Sequence, residues 1–397
     1  MPPVVSAATA RSTLAGFYLS GVLMSFLGAI LPAWDYHLQS AYFTIGYYFL
    51  AMNAGMLLSV PLARAILRAR TIGFALILAS SLAAASFFYL AAVGPPRLFW
   101  WRAAGLLVMG MAGGLLNAAL FTAVSPVYRR DPAATINLSG LLFGLGCLST
   151  SLLVSGTFYI YTTGSILILL GLFPAFLAAK YARWKRHDEQ LPAPVPLRQA
   201  ISDFQSPAAV LFALLLFFQF GNEWSIAGWL PVFLAQRLGA SPADCVLMLS
   251  LYWLALTLGR IVSQSVLPRV HHGKLLMGSV LAALLGCFIL SLTEDLFGAG
   301  AGIVITGLGF APIYPLVVEK IGSRFSYYHP GVFNGLFSLA VTGGLLAPAS
   351  LGWIASWFGV GSVMLVPVVG SCAVFILLVV IFLEDKLTRM AAAKSQT

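Results

Sequence analysis

Glu223 is the residue whose type and position most clearly suggest chemistry, because it lies inside the apolar segment 218–231. A carboxylate in the middle of a bilayer costs roughly 3 kcal/mol on insertion scales unless it faces water, a partner or a ligand. Gln219 precedes it by four residues and would share its helix face. Such an acid could exchange a proton or, when ionised, bind sodium or the hydroxyl groups of a ligand. The alternative is a structural acid paired with a donor on a neighbouring helix, and the expense of burial favours function.

Amide side chains at the predicted membrane level could hydrogen-bond the hydroxyl groups of a sugar. Each could equally join two helices, where such a bond contributes roughly 1 kcal/mol. Asn117 and Asn334 are favoured as ligand contacts because they fall in the middle of their segments, whereas Asn137 is not carried further. Among the aromatic residues, Trp224, Tyr252 and Tyr314 could cover the flat C–H face of a sugar ring. The predicted substrate-binding residues are Glu223, Gln219, Asn222, Trp224, Asn53, Asn117, Asn334, Tyr252 and Tyr314.

The composition indicates a polytopic membrane protein. Hydrophobic residues make up 60% of the 397 residues and charged residues only 9%, against about 25% charged in ordinary globular chains. A spanning helix needs about 20 apolar residues, so this length accommodates about a dozen spans. The four cysteines are scattered singly, which predicts neither a disulfide framework nor a zinc site. No catalytic triad, nucleotide loop or haem motif occurs, so we expect no enzyme activity, cofactor or metal.

Apolar runs divide the chain into six predicted spans, a linker and six more. The first six runs are 12–34, 42–63, 71–93, 98–123, 133–158 and 162–181. The second six are 207–236, 243–267, 273–293, 296–320, 329–357 and 361–383. The residues between the sets are charged and rich in proline, as expected of a solvated connector. We therefore predict an all-α membrane fold with an N-terminal bundle (1–181), a cytoplasmic linker (182–206) and a C-terminal bundle (207–397).

Lysine and arginine residues predict the orientation in the membrane. If both termini are cytoplasmic, 19 of the 22 lysines and arginines lie inside, and only Arg97, Arg102 and Arg237 lie outside. Positive residues concentrate in cytoplasmic loops of membrane proteins. The same distribution accounts for the net charge of +10 without nucleic acid as a partner. We expect a multi-pass protein of the cell (inner) membrane, acting as a monomer.

The two halves repeat each other in sequence. Residues 48–51 (Tyr-Phe-Leu-Ala) of the second run match residues 252–255 (Tyr-Trp-Leu-Ala) of the eighth, and the Leu-Pro pair 31–32 matches 230–231. Repeats of this kind place a binding site at the interface of the two halves in many transporters. Because proline weakens a helix locally, we predict that the first and seventh helices bend near Pro32 and Pro231.

Four segments of the chain carry motifs of a known transporter group. They are Gly221-x-Glu223-x-x-x-x-Gly228-Trp229-Leu230, Leu254-x-x-x-x-Gly259-Arg260, Gly307-x-Gly309-x-Ala311-Pro312-Ile313-Tyr314-Pro315, and Gly343-Gly344 with Pro348 and Gly352. In these segments the chain resembles the fucose-permease-like group (fucose, glucose or galactose–proton symporters) of the major facilitator superfamily. The resemblance covers nearly the whole chain. It implies twelve helices in two six-helix bundles related by a pseudo-twofold parallel repeat, with alternating access to a central site.

Three positions depart from that group. Its characterised sugar–proton symporters carry an acid in the first helix where this chain has Gly28, and another in the fourth helix where it has Leu116. The connection after the second run has Arg64 where the superfamily signature has an aspartate. The coupling mechanism of those symporters is therefore not carried over, and Glu223 remains the predicted ion-coupling residue.

The sequence as a whole predicts a secondary active transporter that works by alternating access. We expect it to move a small polar organic solute, with a sugar or polyol favoured, coupled to a proton or a sodium ion through Glu223. The alternative is an exporter of amphipathic organic compounds or drugs, because the predicted cavity residues are largely apolar and only one deep acid is present. A receptor or lipid scramblase built on the same fold is a third possibility. The substrate, the coupling ion and the direction of transport are not specified by the sequence.

Overall fold

The fold is entirely helical over the residues that the computed structural model describes, which are 7–38, 41–93, 99–128, 132–183, 207–267, 269–324 and 330–394. Twelve stretches within them are long and apolar enough to span a membrane, as predicted. The α-helices are α1 (Ala7–Ile30), α2 (Tyr42–Ala69), α3 (Ile72–Ala92), α4 (Phe99–Tyr128), α5 (Pro132–Thr157), α6 (Thr163–Arg183), α7 (Pro207–Leu238), α8 (Pro242–Val266), α9 (His272–Leu292), α10 (Leu296–Phe310), α11 (Ile313–Arg324), α12 (Pro330–Phe358) and α13 (Leu365–Lys394). The predicted linker lies mostly outside the described residues.

The helices form two groups, α1–α6 and α7–α13, which we call the first and second halves. Within the first half, α2 packs on α4, α3 on α6 and α1 on α5. Within the second half, α7 packs on α12 and α13, and α10 lies against α8 and α9. The two halves meet chiefly through three pairs, namely α2 with α12, α5 with α8, and α1 with α7, with a smaller contact between α5 and α11. The site must therefore be sought along these three seams.

The tenth span differs from the uninterrupted run that the sequence predicts. It consists of α10 and α11, separated by a turn at Ala311 and Pro312. Proline has no backbone N–H, so the hydrogen-bond ladder is interrupted at this position. At its far end α11 is tied to its neighbours by ion pairs from His272 to Glu319 (2.8 Å) and from Lys320 to Asp385 (3.7 Å). The broken segment is thus fastened to α9 and α13.

The two prolines predicted to bend helices have different surroundings. Helix α1 ends at Ile30, four residues before the end of the predicted run, and Pro32 opens a short 3-10 turn that closes at Asp35 with φ 64°. Helix α7 instead continues through Pro231 to Leu238. Because Pro231 cannot donate, the carbonyl of Ala227 lacks its usual partner one turn later. Gly28 of α1 packs directly against that carbonyl, so a side chain at Gly28 would collide with it.

Glycines allow the helix backbones of the two halves to touch at the other seams as well. Gly46 of α2 lies against Gly352 of α12, and each leaves no room for a Cβ atom on the other. On α5, Gly140 faces the side chain of Arg260 and Gly144 faces that of Thr257. Gly140 and Gly144 therefore both lie at the α5–α8 seam.

Candidate functional site

Glu223 lies close to the midpoint of α7, and its carboxylate keeps part of its surface open. Its Oε1 atom accepts a hydrogen bond of 2.8 Å from Nε2 of Gln219, which is itself fully buried. The helical spacing predicted this pairing, because residues four apart share a face. One turn further along α7, Ala227 meets α1 of the other half. The acid is thus near the boundary between the halves.

Helix α8 adds a positive charge to this neighbourhood. The Arg260 guanidinium is near enough to act electrostatically on the carboxylate of Glu223. Its Nη1 atom donates a 2.6 Å hydrogen bond to the backbone oxygen of Gly140 on α5. Tyr252, two turns earlier on α8, donates from its hydroxyl to the backbone oxygen of Glu223 at 3.4 Å. Arg260 therefore links the acid of the second half to the backbone of the first.

Three aromatic rings form a triangle beside Glu223, which we call the aromatic triangle (Phe143, Trp224 and Trp253). The ring centroids are separated by 6.1 Å (Phe143–Trp224), 6.4 Å (Phe143–Trp253) and 6.2 Å (Trp224–Trp253). All three contacts are edge-to-face, a favourable arrangement for aromatic pairs. Phe143 belongs to the first half and both tryptophans to the second. The triangle therefore crosses the α5–α8 seam.

Sequence reasoning selected Trp224 as a site residue but did not select Phe143, Trp253 or Arg260. Phe143 lies between the two glycines of the α5 contact face, and Trp253 lies in the repeated Tyr-Trp-Leu-Ala segment. Those two signals could have drawn attention to them. Tyr314, at the start of α11, packs edge-on against Phe220 at 5.3 Å, next to Gln219 in the chain. Gln219, Glu223, Trp224 and Tyr252 are thus brought together, with Tyr314 adjoining them.

The asparagines predicted to contact substrate occupy other positions. Asn53 donates to the backbone oxygen of Leu345 and so joins α2 to α12 across the two halves. Asn222 donates to Oγ of Ser371 at 3.4 Å, inside the second half. Asn117, which is partly exposed, accepts a 2.6 Å hydrogen bond from Ser20 inside the first half. The side chain of Asn334 lies outside the described residues. These bonds are compatible with the interhelical alternative, and binding by these residues stays a prediction.

A surface groove of about 620 Å³ lies between α8 and α10. Its lining includes Met248, Leu251 and Phe297, and only apolar residues and glycine take part. Such a groove suits lipid rather than a polar ligand. Within the described ranges, no three histidine, cysteine, aspartate or glutamate side chains come together in a way that could hold a metal ion.

Solved structures of sugar symporters share this fold. The E. coli fucose:proton symporter FucP aligns over 96% of this chain and 99% of its own, with 14% identity and a TM-score of 0.63. A D-xylose–proton symporter aligns over 94% of this chain and 96% of its own, with 12% identity and a TM-score of 0.74. Identities this low establish the fold alone. Because the xylose symporter has the higher TM-score, the fold does not single out the fucose-permease-like group.

A curated relative and a family model give the remaining evidence. The sialic acid transporter NanX of Escherichia coli (strain K12) is 27% identical over 208 residues, which is 49% of each chain. The chain therefore spans about half the length of that relative. The Major Facilitator Superfamily model matches residues 133–344, more than half of the chain. With twelve spans and this match, the chain belongs to the Major Facilitator Superfamily and is a multi-pass membrane protein.

Proposed function

We propose that this transporter moves a sugar or polyol together with a proton or sodium ion, and that Glu223 couples the two. The observation that carries the proposal is the position of Glu223. Among the described residues it is the one acid near the middle of a span, at the boundary between halves that must move against each other. The named substrates of three similar proteins, fucose, D-xylose and sialic acid, are all sugars.

The surroundings of Glu223 suit a group that changes charge during a transport cycle. When ionised, the carboxylate has Gln219 as a hydrogen-bond donor and Arg260 as a countercharge. When it takes up a proton or binds sodium, its attraction to Arg260 falls, because that attraction is proportional to the charge. Arg260 is also bonded to the first half through Gly140. Binding of the coupling ion to Glu223 would therefore weaken an attraction that holds Arg260 at the contact between the halves.

The proposed solute site uses Gln219, Glu223, Trp224 and Tyr252 from the second half and Asn117 from the first. Hydrogen-bonding groups beside flat rings are what recognition of a sugar requires, since hydroxyls project from the rim and C–H groups from the face. Small-molecule sites typically combine apolar walls with a few placed polar groups. Asn53, Asn222, Asn334 and Tyr314 complete the proposed set.

Counterflow in proteoliposomes tests this function. Purified protein is reconstituted with an internal load of fucose, D-xylose or sialic acid, and uptake of the matching radiolabelled sugar is measured with and without an imposed pH or sodium gradient. We expect at least one sugar to exchange, and its accumulation to follow one of the gradients. Competition by hydrophobic cations, together with no exchange of any of the sugars, would instead support an exporter of amphipathic compounds.

A further inference from the structure

The indole N–H of Trp253 is a buried donor without an acceptor. Trp253 is 2% exposed, and its Nε1 atom has no hydrogen-bond partner among the described residues. A buried indole N–H normally finds a partner, because leaving it unpaired is unfavourable. This chain meets that requirement elsewhere, since the fully buried Trp229 donates from Nε1 to the backbone oxygen of Pro348 at 2.8 Å. Trp253 is thus an exception that calls for an acceptor.

A second orphaned atom lies next to the coupling acid. Gln219 donates its N–H to Glu223, but its Oε1 atom is buried and accepts no hydrogen bond from the described residues. Helices α7 and α8 therefore each carry one buried group without a partner among the described residues, an acceptor on α7 and a donor on α8. A sugar hydroxyl can satisfy either group, because a hydroxyl both accepts and donates hydrogen bonds. An oxygen-free hydrophobic cation such as tetraphenylphosphonium has no atom that could accept from an indole.

The aromatic triangle places Trp253 where a ligand could reach it when the halves separate. Trp224 and Phe143 are partly exposed, and both lie over Trp253, Trp224 on α7 and Phe143 on α5. Phe143 comes from the other half, so it withdraws from the indoles if the α5–α8 seam opens. The rings and the N–H of Trp253 are then uncovered on the side that also holds Glu223.

We infer that Trp253 is a substrate-binding residue, whose indole N–H donates to a hydroxyl oxygen of a sugar. Trp224 supplies the flat surface against the C–H face of that sugar. Phe143 takes the place of the sugar over the two indoles when the site is empty and the seam is closed. This inference rests on the proposed function and adds the groups that make the site selective for sugars over amphipathic cations.

The test compares Trp253→Phe with the parent protein in the proteoliposome assay. Phenylalanine keeps a ring but removes the N–H, and Trp100→Phe, at a 68% exposed position on α4, is the matched control. The transported sugar is measured beside its monodeoxy analogues. We expect Trp253→Phe to raise KM about tenfold, the effect of one hydrogen bond, without changing the maximal rate. One deoxy analogue lacks the hydroxyl that accepts from Trp253, so it should have a raised KM in the parent. Its KM should not rise further in Trp253→Phe.

The outcomes separate the inference from the function on which it rests. If the parent exchanges a sugar and Trp253→Phe discriminates among the deoxy analogues as the parent does, the inference is wrong and the function stands. If the parent exchanges none of the three sugars, the proposed function itself fails. Should Trp253→Phe not fold, Trp253→Met, which also lacks the N–H and fills an irregular space flexibly, is tested in its place. Loss of discrimination against that one deoxy analogue supports the inference, and unchanged discrimination contradicts it.

Discussion

Glu223 has one neighbour that positions its carboxylate and another that balances its charge, and these contacts lead to distinct expectations for its variants. Gln219 fixes the carboxylate by a 2.8 Å hydrogen bond, while Arg260 supplies the opposite charge from α8. A glutamine at position 223 would keep the size and one acceptor but could no longer titrate. The other acids that the structure describes lie at span ends or in connections, so we expect none of them to substitute for it.

We therefore expect Glu223→Gln to abolish gradient-driven accumulation while sparing sugar binding and energy-independent exchange. Accumulation and counterflow are measured on the same proteoliposomes. Glu319→Gln is the matched control, because Glu319 is exposed and pairs with His272 at the end of α11. If Glu223→Gln concentrates sugar as well as the parent at every pH and sodium concentration, Glu223 is a structural acid.

Replacing Asn117 is expected to weaken sugar binding more than it lowers the stability of the fold. It is partly exposed in the first half, and Asn117→Ala would leave a sugar hydroxyl without its partner, at about 1–3 kcal/mol. We expect KM to rise by roughly five- to 150-fold with little change in melting temperature, which radiolabelled uptake and thermal unfolding measure. Thr163→Ala is the comparison, since it removes the hydrogen bond from Thr163 to the oxygen of Ala33, both outside the proposed site, and should alter unfolding alone. Unchanged KM in Asn117→Ala would remove this residue from the site.

Among the elements, α1 and α7 approach each other closely enough for a single methyl group to matter. Gly28 packs against the carbonyl of Ala227, whereas Gly300 of α10 faces open space. We expect Gly28→Ala to hinder closure of the α1–α7 seam and to reduce transport more than tenfold while sugar binding persists. Gly300→Ala should transport like the parent. Normal transport by Gly28→Ala would contradict this expectation, because it would show that the seam accommodates the added methyl group.

Periodicity in the sequence is sufficient to predict the spans and the Gln219–Glu223 pair, because both depend on local spacing. It does not predict which neighbouring helix Asn222 faces. Consecutive residues on an α-helix point about 100° apart, so Asn222 turns toward α13 although Glu223 turns toward the seam. Phe143 and Trp253 meet only through the packing of α5 on α8. Such contacts between distant segments leave no periodic signal in either segment.

At the scale of the whole molecule, two hydrogen bonds join the halves at the end that holds the α1–α2 and α7–α8 connections. Gln236 on α7 donates to the backbone oxygen of His37 at 2.7 Å, and Ser155 on α5 donates to that of Ala243 at 2.9 Å. Neither bond can persist when this end opens. The end is predicted to be extracytoplasmic, so these contacts belong to the proposed outer gate.

Cross-linking this end is expected to stop transport. Cysteines introduced at His37 and Gln236, in a background without the native cysteines, should abolish sugar uptake when oxidised, and a reductant should restore it. A pair at Ala33 and Thr163 is the control, because the hydroxyl of Thr163 donates to the oxygen of Ala33 within the first half. Uptake that continues with the first pair fully cross-linked would contradict opening at this end.

Both termini are expected on the cytoplasmic side, because 19 of the 22 lysines and arginines then lie inside. A reporter fused after Thr397 that is active only in the cytoplasm should show activity. The same reporter inserted in the α1–α2 connection should show none. Activity of a periplasm-dependent reporter at Thr397 would reverse the topology.

Because one acid alone lies near the middle of the membrane, each cycle can draw on the movement of a single elementary charge. A potential of 100 mV supplies about 2.3 kcal/mol per charge, and about 1.4 kcal/mol corresponds to a tenfold ratio of concentrations. When the coupling ion is equally concentrated on both sides, a neutral sugar moved with one cation should therefore accumulate no more than roughly 40-fold at 100 mV, and its uptake should carry current. A sugar acid carried with one proton would instead move no net charge. Its accumulation would then follow the pH difference and ignore the voltage.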